Sequence, residues 1–180
     1  MEIINDFLPK EQFNALKNVI MGNQLPYYYE SSVAEKNDNK NFYFVHEFYL
    51  RDKVKSNYFN IILPLLKKLN CDSLIRAKVN CFPRTEKLIK YGEHKDMLKK
   101  HNGAILYINT CNGGTYLKDD FVPSVENKIL LFDPSKPHQS TNCTDEKCRF
   151  GWNEDFQAMG WYEEKWNVKR EINMQKSGTR

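Results

Sequence analysis

The chain of 180 residues is long enough to bury one core and too short for two comfortable ones, and its 41% hydrophobic and 13% aromatic content is globular rather than disordered. Lys and Arg total 27 against 23 Asp and Glu, a mild excess of +4 spread along the chain, so no nucleic-acid partner is expected. No apolar run approaches the roughly eighteen residues of a membrane span, and acids stand in the first six residues where a signal peptide carries bases. A cytoplasmic protein without membrane attachment is predicted. Five cysteines (Cys71, Cys81, Cys111, Cys143, Cys148), odd in number and without C-x-x-C spacing, read as reduced thiols rather than a disulfide framework or zinc knuckle.

A first helix is predicted over residues 9–21. Pro9 suits its first turn, Phe13, Leu16 and Ile20 share one face, and Gly22 ends it. Residues 25–30 and 41–50 follow as strands rich in Tyr and Phe, joined by a polar loop over 31–40. His46, inside the second of these, reads as a structural histidine. Ser56 can cap a second helix in which Phe59, Ile62, Leu66 and Leu69 keep helical spacing, and Pro64 predicts a break near Leu63.

From Leu74 the period changes to two. Arg76, Lys78 and Asn80 share one face of a strand, and Ile75, Ala77, Val79 and Cys81 the other. The polar face either meets solvent or lines the mouth of a barrel. Lys78 reads as solvated, the alternative being a partner for a carboxylate. A connector over 84–92 leads to His94 and Asp96, and His101, after two lysines, reads as an exposed loop residue. Residues 104–109 form a buried strand, and the turn chemistry of 109–114 predicts a hairpin returning through 115–117. A strand over 127–132 is closed by residues 133–137, and a last core strand begins at Arg149. Short strands at close spacing, with helices confined to the first half, predict a small antiparallel barrel or sandwich with a helical buttress. Trp161, Tyr162, Trp166, Val168 and Ile172 would share one face of a short C-terminal helix, the alternative being a strand leaving the core; 174–180 reads as a frayed tail.

His94 and Asp96 carry the chemistry. Two apart on an extended segment, they point to the same side and can grip one ion. A third ligand from a distant strand would complete two histidines and one carboxylate, the facial triad of non-haem Fe(II) sites, with positions left open. His138 follows 42 positions after Asp96, beyond the predicted hairpin strands. Arg149 stands eleven positions further, where a guanidinium can pair bidentately with a carboxylate.

The ordered run of Arg76 to Asn80, His94 with Asp96, Leu106 to Thr110, Gly113 to Thr115, Asn127 to Asp133, His138 and Arg149 resembles the 2-oxoglutarate- and Fe(II)-dependent oxygenases. Within them it is most similar to the compact prolyl 4-hydroxylase-like group of bacteria and phages. The resemblance implies a mainly β (α+β) protein with a double-stranded β-helix, or jelly-roll, core and N-terminal helices packed on one sheet. One dioxygenase domain would span 1–180: support over 1–72, core over 73–156, and a C-terminal segment over 157–180. It also implies His94, Asp96 and His138 as iron ligands, and Arg149 as the partner of the distal carboxylate of 2-oxoglutarate. Tyr107 and Tyr91 are further candidates to contact the cosubstrate or line its pocket, and Thr115 and Asn80 are possible pocket polars. Fe(II), 2-oxoglutarate, O2 and an accessory role for ascorbate follow, with oxidative decarboxylation to succinate and CO2 and hydroxylation of a peptide or protein side chain, proline being one candidate. A small-molecule substrate stays open.

The sequence departs from the family pattern after Arg149, where Gly151 and two acids replace alternating β-branched residues. Lys147 is then the alternative partner for the cosubstrate carboxylate. The competing readings are another mononuclear metal enzyme, since the same triad can hold Zn2+ or Mn2+, and a non-catalytic jelly-roll binding module.

Overall fold

The computed structural model describes residues 1–34, 40–97 and 100–157. In chain order the elements are β1 (Glu2–Ile4), α1 (Lys10–Ile20), β2 (Tyr28–Glu30), β3 (Tyr43–Leu50), β4 (Lys53–Val54), a 3-10 turn (Phe59–Ile62), α2 (Leu63–Lys68), β5 (Ser73–Pro83), β6 (Asn102–Tyr107), β7 (Gly114–Leu117), β8 (Asp120–Pro123), β9 (Ile129–Phe132), β10 (Gln139–Ser140) and β11 (Cys148–Gln157). No helix among the described residues is long and apolar enough to cross a membrane.

The strands make two antiparallel sheets. The larger runs β1-β9-β6-β11-β5-β3-β2 with β4 on β3, and the smaller runs β10-β7-β8. β11 lies between β5 and β6, and its register sets Arg149 opposite Phe82, Gly151 opposite Asn80, Asn153 opposite Lys78 and Asp155 opposite Arg76. Alternation then turns Trp152, Glu154 and Phe156 to the other side. That side is apolar: Ala77, Val79, Leu106, Trp152 and Phe156 share one core with Phe13, Leu16 and Ile20 of α1 and Leu65 of α2. Burying each large apolar side chain there contributes roughly 1.5–3 kcal/mol. The polar side, carrying Arg76, Lys78 and Asn80, is turned into a cavity.

Several expectations change. Over 25–30 only Tyr28–Glu30 is strand; the Pro26 carbonyl before it instead accepts from His46 Nδ1 at 2.6 Å. Ser56 Oγ meets His46 Nε2 at 2.7 Å, so both ring nitrogens are engaged. The second helix divides at Leu63, with Pro64 in the first turn of α2, where its missing N–H costs nothing. The predicted hairpin over 109–114 is a crossing: β6 belongs to the larger sheet and β7 to the smaller. Gly113 allows that crossing, because a Cβ there would strike the Asn142 carbonyl and come within 2.9 Å of Arg149 Cδ. β1 was not expected, being too short for a period. The irregular strand anticipated after Arg149 is instead regularly paired from Cys148 to Asp155, shifting register only at Asp155/Phe156. The predicted C-terminal helix lies outside the described residues.

One core residue contradicts its surroundings. Glu154 is 2% exposed, opposite Ala77 and Ala104, and neither carboxylate oxygen has a hydrogen-bond partner among the described residues. Burial pushes its pKa up to about 8, with the charge of Asp155 adding to the rise. Folded Glu154 therefore keeps its proton to about pH 8, whereas the unfolded residue ionises near pH 4. Its stabilising contribution is full below about pH 4 and is lost as the pH rises towards 8. Urea midpoints measured across this range should fall more steeply for the wild type than for Glu154→Gln. Parallel profiles would show that Glu154 is ionised in the native state.

Candidate active site

The segment holding His94 and Asp96 has little strand structure of its own. Its position is set by hydrogen bonds to the segment holding His138. His94 and His138 exchange backbone bonds at 3.0 Å in each direction, Tyr91 N donates to Ser140 O at 3.0 Å, and Asp96 N donates to Pro134 O at 3.0 Å. The two imidazoles lie side by side, their centroids 4.3 Å apart. One ligand atom from each of His94, Asp96 and His138 falls within 4.8 Å of the others. His138 Nδ1 donates to the Lys136 carbonyl at 3.0 Å, so Nε2 is the ring nitrogen that faces Asp96 Oδ2, at 3.4 Å. His94 Nδ1 lies 3.4 Å from the Gly92 carbonyl in the same way.

Behind Asp96 runs a chain of charge. Arg76 Nη2 donates to Asp96 Oδ1 at 2.8 Å and to Asp155 Oδ2 at 2.6 Å, while Asp155 Oδ1 lies 3.3 Å from His101 Nε2. Burial alone would raise the Asp96 pKa, but His138 and the Arg76 guanidinium outweigh it and hold the carboxyl well below its ordinary range. The imidazoles shift in opposite directions. Burial and neighbouring His138 lower His94, whereas at His138 the effect of burial is overcome by Asp96. His101, expected in an exposed loop, is 6% exposed and part of this chain. Its partner Asp155 is one of the acids that made the last strand look irregular, and that misplaced acid was the available signal.

Arg149 is 2% exposed. Its Nε donates to the Thr141 carbonyl and its Nη2 to Ser140 Oγ, both at 2.7 Å, and its guanidinium carbon lies 4.7 Å from the Phe82 ring centroid. No carboxylate pairs with it among the described residues. Phe82 is stacked between Tyr43 and Tyr91, with centroids 5.3 and 5.4 Å away. Gly151 lies beside the guanidinium, and a Cβ there would meet Nη1 at 3.6 Å, an ordinary contact. Lys147, the alternative to Arg149, is exposed.

A cavity of about 310 Å³ has His94, Asp96, His138, Lys78 and Asn80 in its wall, with Ser140 and Phe82, which separate it from Arg149. Thr115 lines it as well. Lys78, expected in solvent, faces inward here. Tyr107 and Tyr91 do not line the cavity. Tyr107 is fully buried with Ile105, Val122, Leu130 and Phe132, and its hydroxyl lies 3.4 Å from the Val122 carbonyl; burial raises its pKa to about 12. Tyr91 supports Phe82 from behind. A second group of possible ligands, Cys111, Cys143 and Asp145, also comes together. The Asp145 carboxylate there accepts the Asn112 N–H, and burial raises the Cys143 thiol to about 12, in keeping with a protonated thiol.

No family model matches the sequence, and no curated protein matches it significantly. Solved structures do match the fold. One is a prolyl-4-hydroxylase from Pseudomonas putida, with TM-score 0.56 and 13% identity over 88% of this chain and 92% of that one. Another is an oxidoreductase of the 2OG-Fe(II) oxygenase family from Burkholderia pseudomallei, with TM-score 0.65 and 9% identity over 86% and 84%. A third is a prolyl hydroxylase from Trichoplax adhaerens in complex with a hypoxia inducible factor peptide, with TM-score 0.59 and 14% identity over 87% and 83%. The chain thus shares the mainly antiparallel β fold of these three structures.

Proposed function

We propose that the protein is a 2-oxoglutarate- and Fe(II)-dependent dioxygenase with a jelly-roll core, hydroxylating a C–H bond of its substrate. The observation that carries this reading is the convergence of three ligands of the facial-triad type on one cavity, backed by a buried guanidinium without a carboxylate. Arg149 does not itself line the cavity; it lies against Ser140 and Phe82, which do. A buried cation left unpaired is costly, and an anionic cosubstrate relieves that cost. A triad serving a hydrolytic metal has no need of such a group.

The donor set fits the ion. His94 and His138 hold their Nδ1 protons towards backbone carbonyls, which frees Nε2 of each for the metal. Arg76 occupies Asp96 Oδ1, leaving Oδ2, the oxygen nearer His138, as the ligand atom. Arg149, clamped by Thr141 and Ser140, would receive the distal carboxylate of 2-oxoglutarate. The stacked Tyr43, Phe82 and Tyr91 wall off water beside it. The bound Fe(II), with 2-oxoglutarate and dioxygen, supplies the oxidising chemistry, yielding succinate, CO2 and hydroxylated product. A peptide or protein side chain, as in the prolyl hydroxylases that share the fold, is the substrate class first to be tried.

Anaerobic titration of the protein with Fe(II) and 2-oxoglutarate should give a visible charge-transfer band, and His94→Ala or Asp96→Ala should abolish metal binding by calorimetry. A wild-type protein that binds neither would sink the oxygenase reading. Arg149→Met should weaken 2-oxoglutarate about 10–100-fold with metal affinity retained, whereas Lys147→Ala should change neither. Asp155→Asn removes one of the two carboxylates that fix Arg76. It should therefore lower Fe(II) affinity by about 10–100-fold, the usual cost of loosening a ligand's support; unaltered affinity would mean that Arg76 needs no such anchor.

A further inference from the structure

Lys78 occupies an unusual position in the cavity wall. It projects from β5 between Arg76 and Asn80, opposite Asn153 of β11 and Glu47 of β3. Its ammonium lies 5.7 Å from the Tyr43 ring centroid and forms no ion pair or hydrogen bond among the described residues. Neighbouring Arg76 differs, being bridged to both Asp96 and Asp155. Glu47 faces Lys78 across the strands, and Glu30 lies at the cavity mouth, but neither pairs with it.

The charge balance gives this vacancy a meaning. The two carboxylates Asp96 and Asp155, with Arg76, leave one net negative charge. A divalent metal and Arg149 add three positive charges, and dianionic 2-oxoglutarate removes two. These groups then sum to neutrality, and the two other carboxylates on this side, Glu47 and Glu30, do not pair with the Lys78 ammonium, which is left with no anion in contact among the described residues. It is also separate from Arg149. Lys78 and Phe82, the cross-strand partner of Arg149, are four residues apart on one face of β5, or roughly 13 Å along the strand. One monoanionic group fits this requirement. A cavity of about 310 Å³ that must also admit the cosubstrate leaves room for a small one.

Resting on the oxygenase reading above, we propose that Lys78 is the anchor for a carboxylate of the substrate, so that the protein oxidises a C–H bond close to a carboxylate. The source is either a free amino or organic acid or an acidic side chain of a peptide. Burial, followed by the charge of Arg76, lowers the Lys78 pKa to about 8, and a bound carboxylate would raise it again. Asn80 lies beside it with an unpartnered buried Oδ1 among the described residues, an acceptor for a donor group on the same ligand.

The test uses the full chain loaded with Mn(II), which does not turn over, and 2-oxoglutarate. Calorimetry compares L-proline with L-prolinamide, for the free-acid source, and N-acetyl-aspartate amide with N-acetyl-asparagine amide, for the side-chain source. In one pair the acid should bind at least about tenfold tighter than its amide, as expected for a charge-assisted hydrogen bond. Lys78→Met should erase that preference, Lys78→Arg should keep part of it, and affinity for 2-oxoglutarate should change less than about twofold in either variant. Equal or absent binding of acid and amide overturns the proposal. So does a Lys78→Met variant that loses 2-oxoglutarate, which would assign the ammonium to the cosubstrate. If the wild type takes no 2-oxoglutarate, the oxygenase reading fails on its own. The same acid–amide comparison without it then still decides whether Lys78 holds carboxylates.

Discussion

A single guanidinium shared by two carboxylates sets the geometry on which the site depends. Arg76 stands on a regular strand in the middle of the larger sheet, and Asp155 faces it from the neighbouring strand. Asp96 comes from a segment with almost no strand pairing, so it needs an external reference. Arg76 provides it, and Asp155 keeps Arg76 from following Asp96 into the cavity. All three groups are sheltered from water, which strengthens their attraction and makes the loss of any partner costly. His101 closes the far end of the chain. A loop ligand thereby acquires the precision of the sheet.

The two buried arginines divide the work. Arg76 is balanced by protein carboxylates and is structural in its electrostatics. Arg149 meets a carbonyl, a hydroxyl and the Phe82 ring, which engage it without cancelling its charge. Burial lowers its pKa, yet a guanidinium remains protonated. This asymmetry separates a charge the protein balances itself from one it leaves unbalanced among the described residues.

Much of this was legible in the sequence, and the failures have physical causes. The spacing of His94 and Asp96 showed that they share a side, because period two is a property of any extended segment. Likewise Arg76, Lys78 and Asn80 were seen to share a face. Which way that face turns is a matter of register and sheet packing, and periodicity alone cannot decide it, so Lys78 was assigned to solvent. Turn chemistry at Asn112–Gly113 was recognised, but the same residues serve a hairpin or a crossing between sheets, and only the distant partner Ser124 distinguishes them. Gly151 looked like a defect in a strand. In place it is an ordinary strand position beside Arg149, and pairing on both sides keeps β11 regular without its side chain. His101 was invisible because its partner, Asp155, is 54 positions away.

The strip from Pro134 to Thr141 touches everything the site requires. It carries His138, bonds to the backbone of Tyr91, His94 and Asp96 on one side, and pairs through Gln139 and Ser140 with β7 on the other. Its last residues also hold Arg149 by the Ser140 hydroxyl and the Thr141 carbonyl. One short piece of backbone thus belongs to both the proposed coordination set and the proposed diacid clamp. If both places fill, occupancy at either would order the same atoms, so each ligand would lower the entropy cost of the other, and by thermodynamic reciprocity the coupling would be equal in both directions.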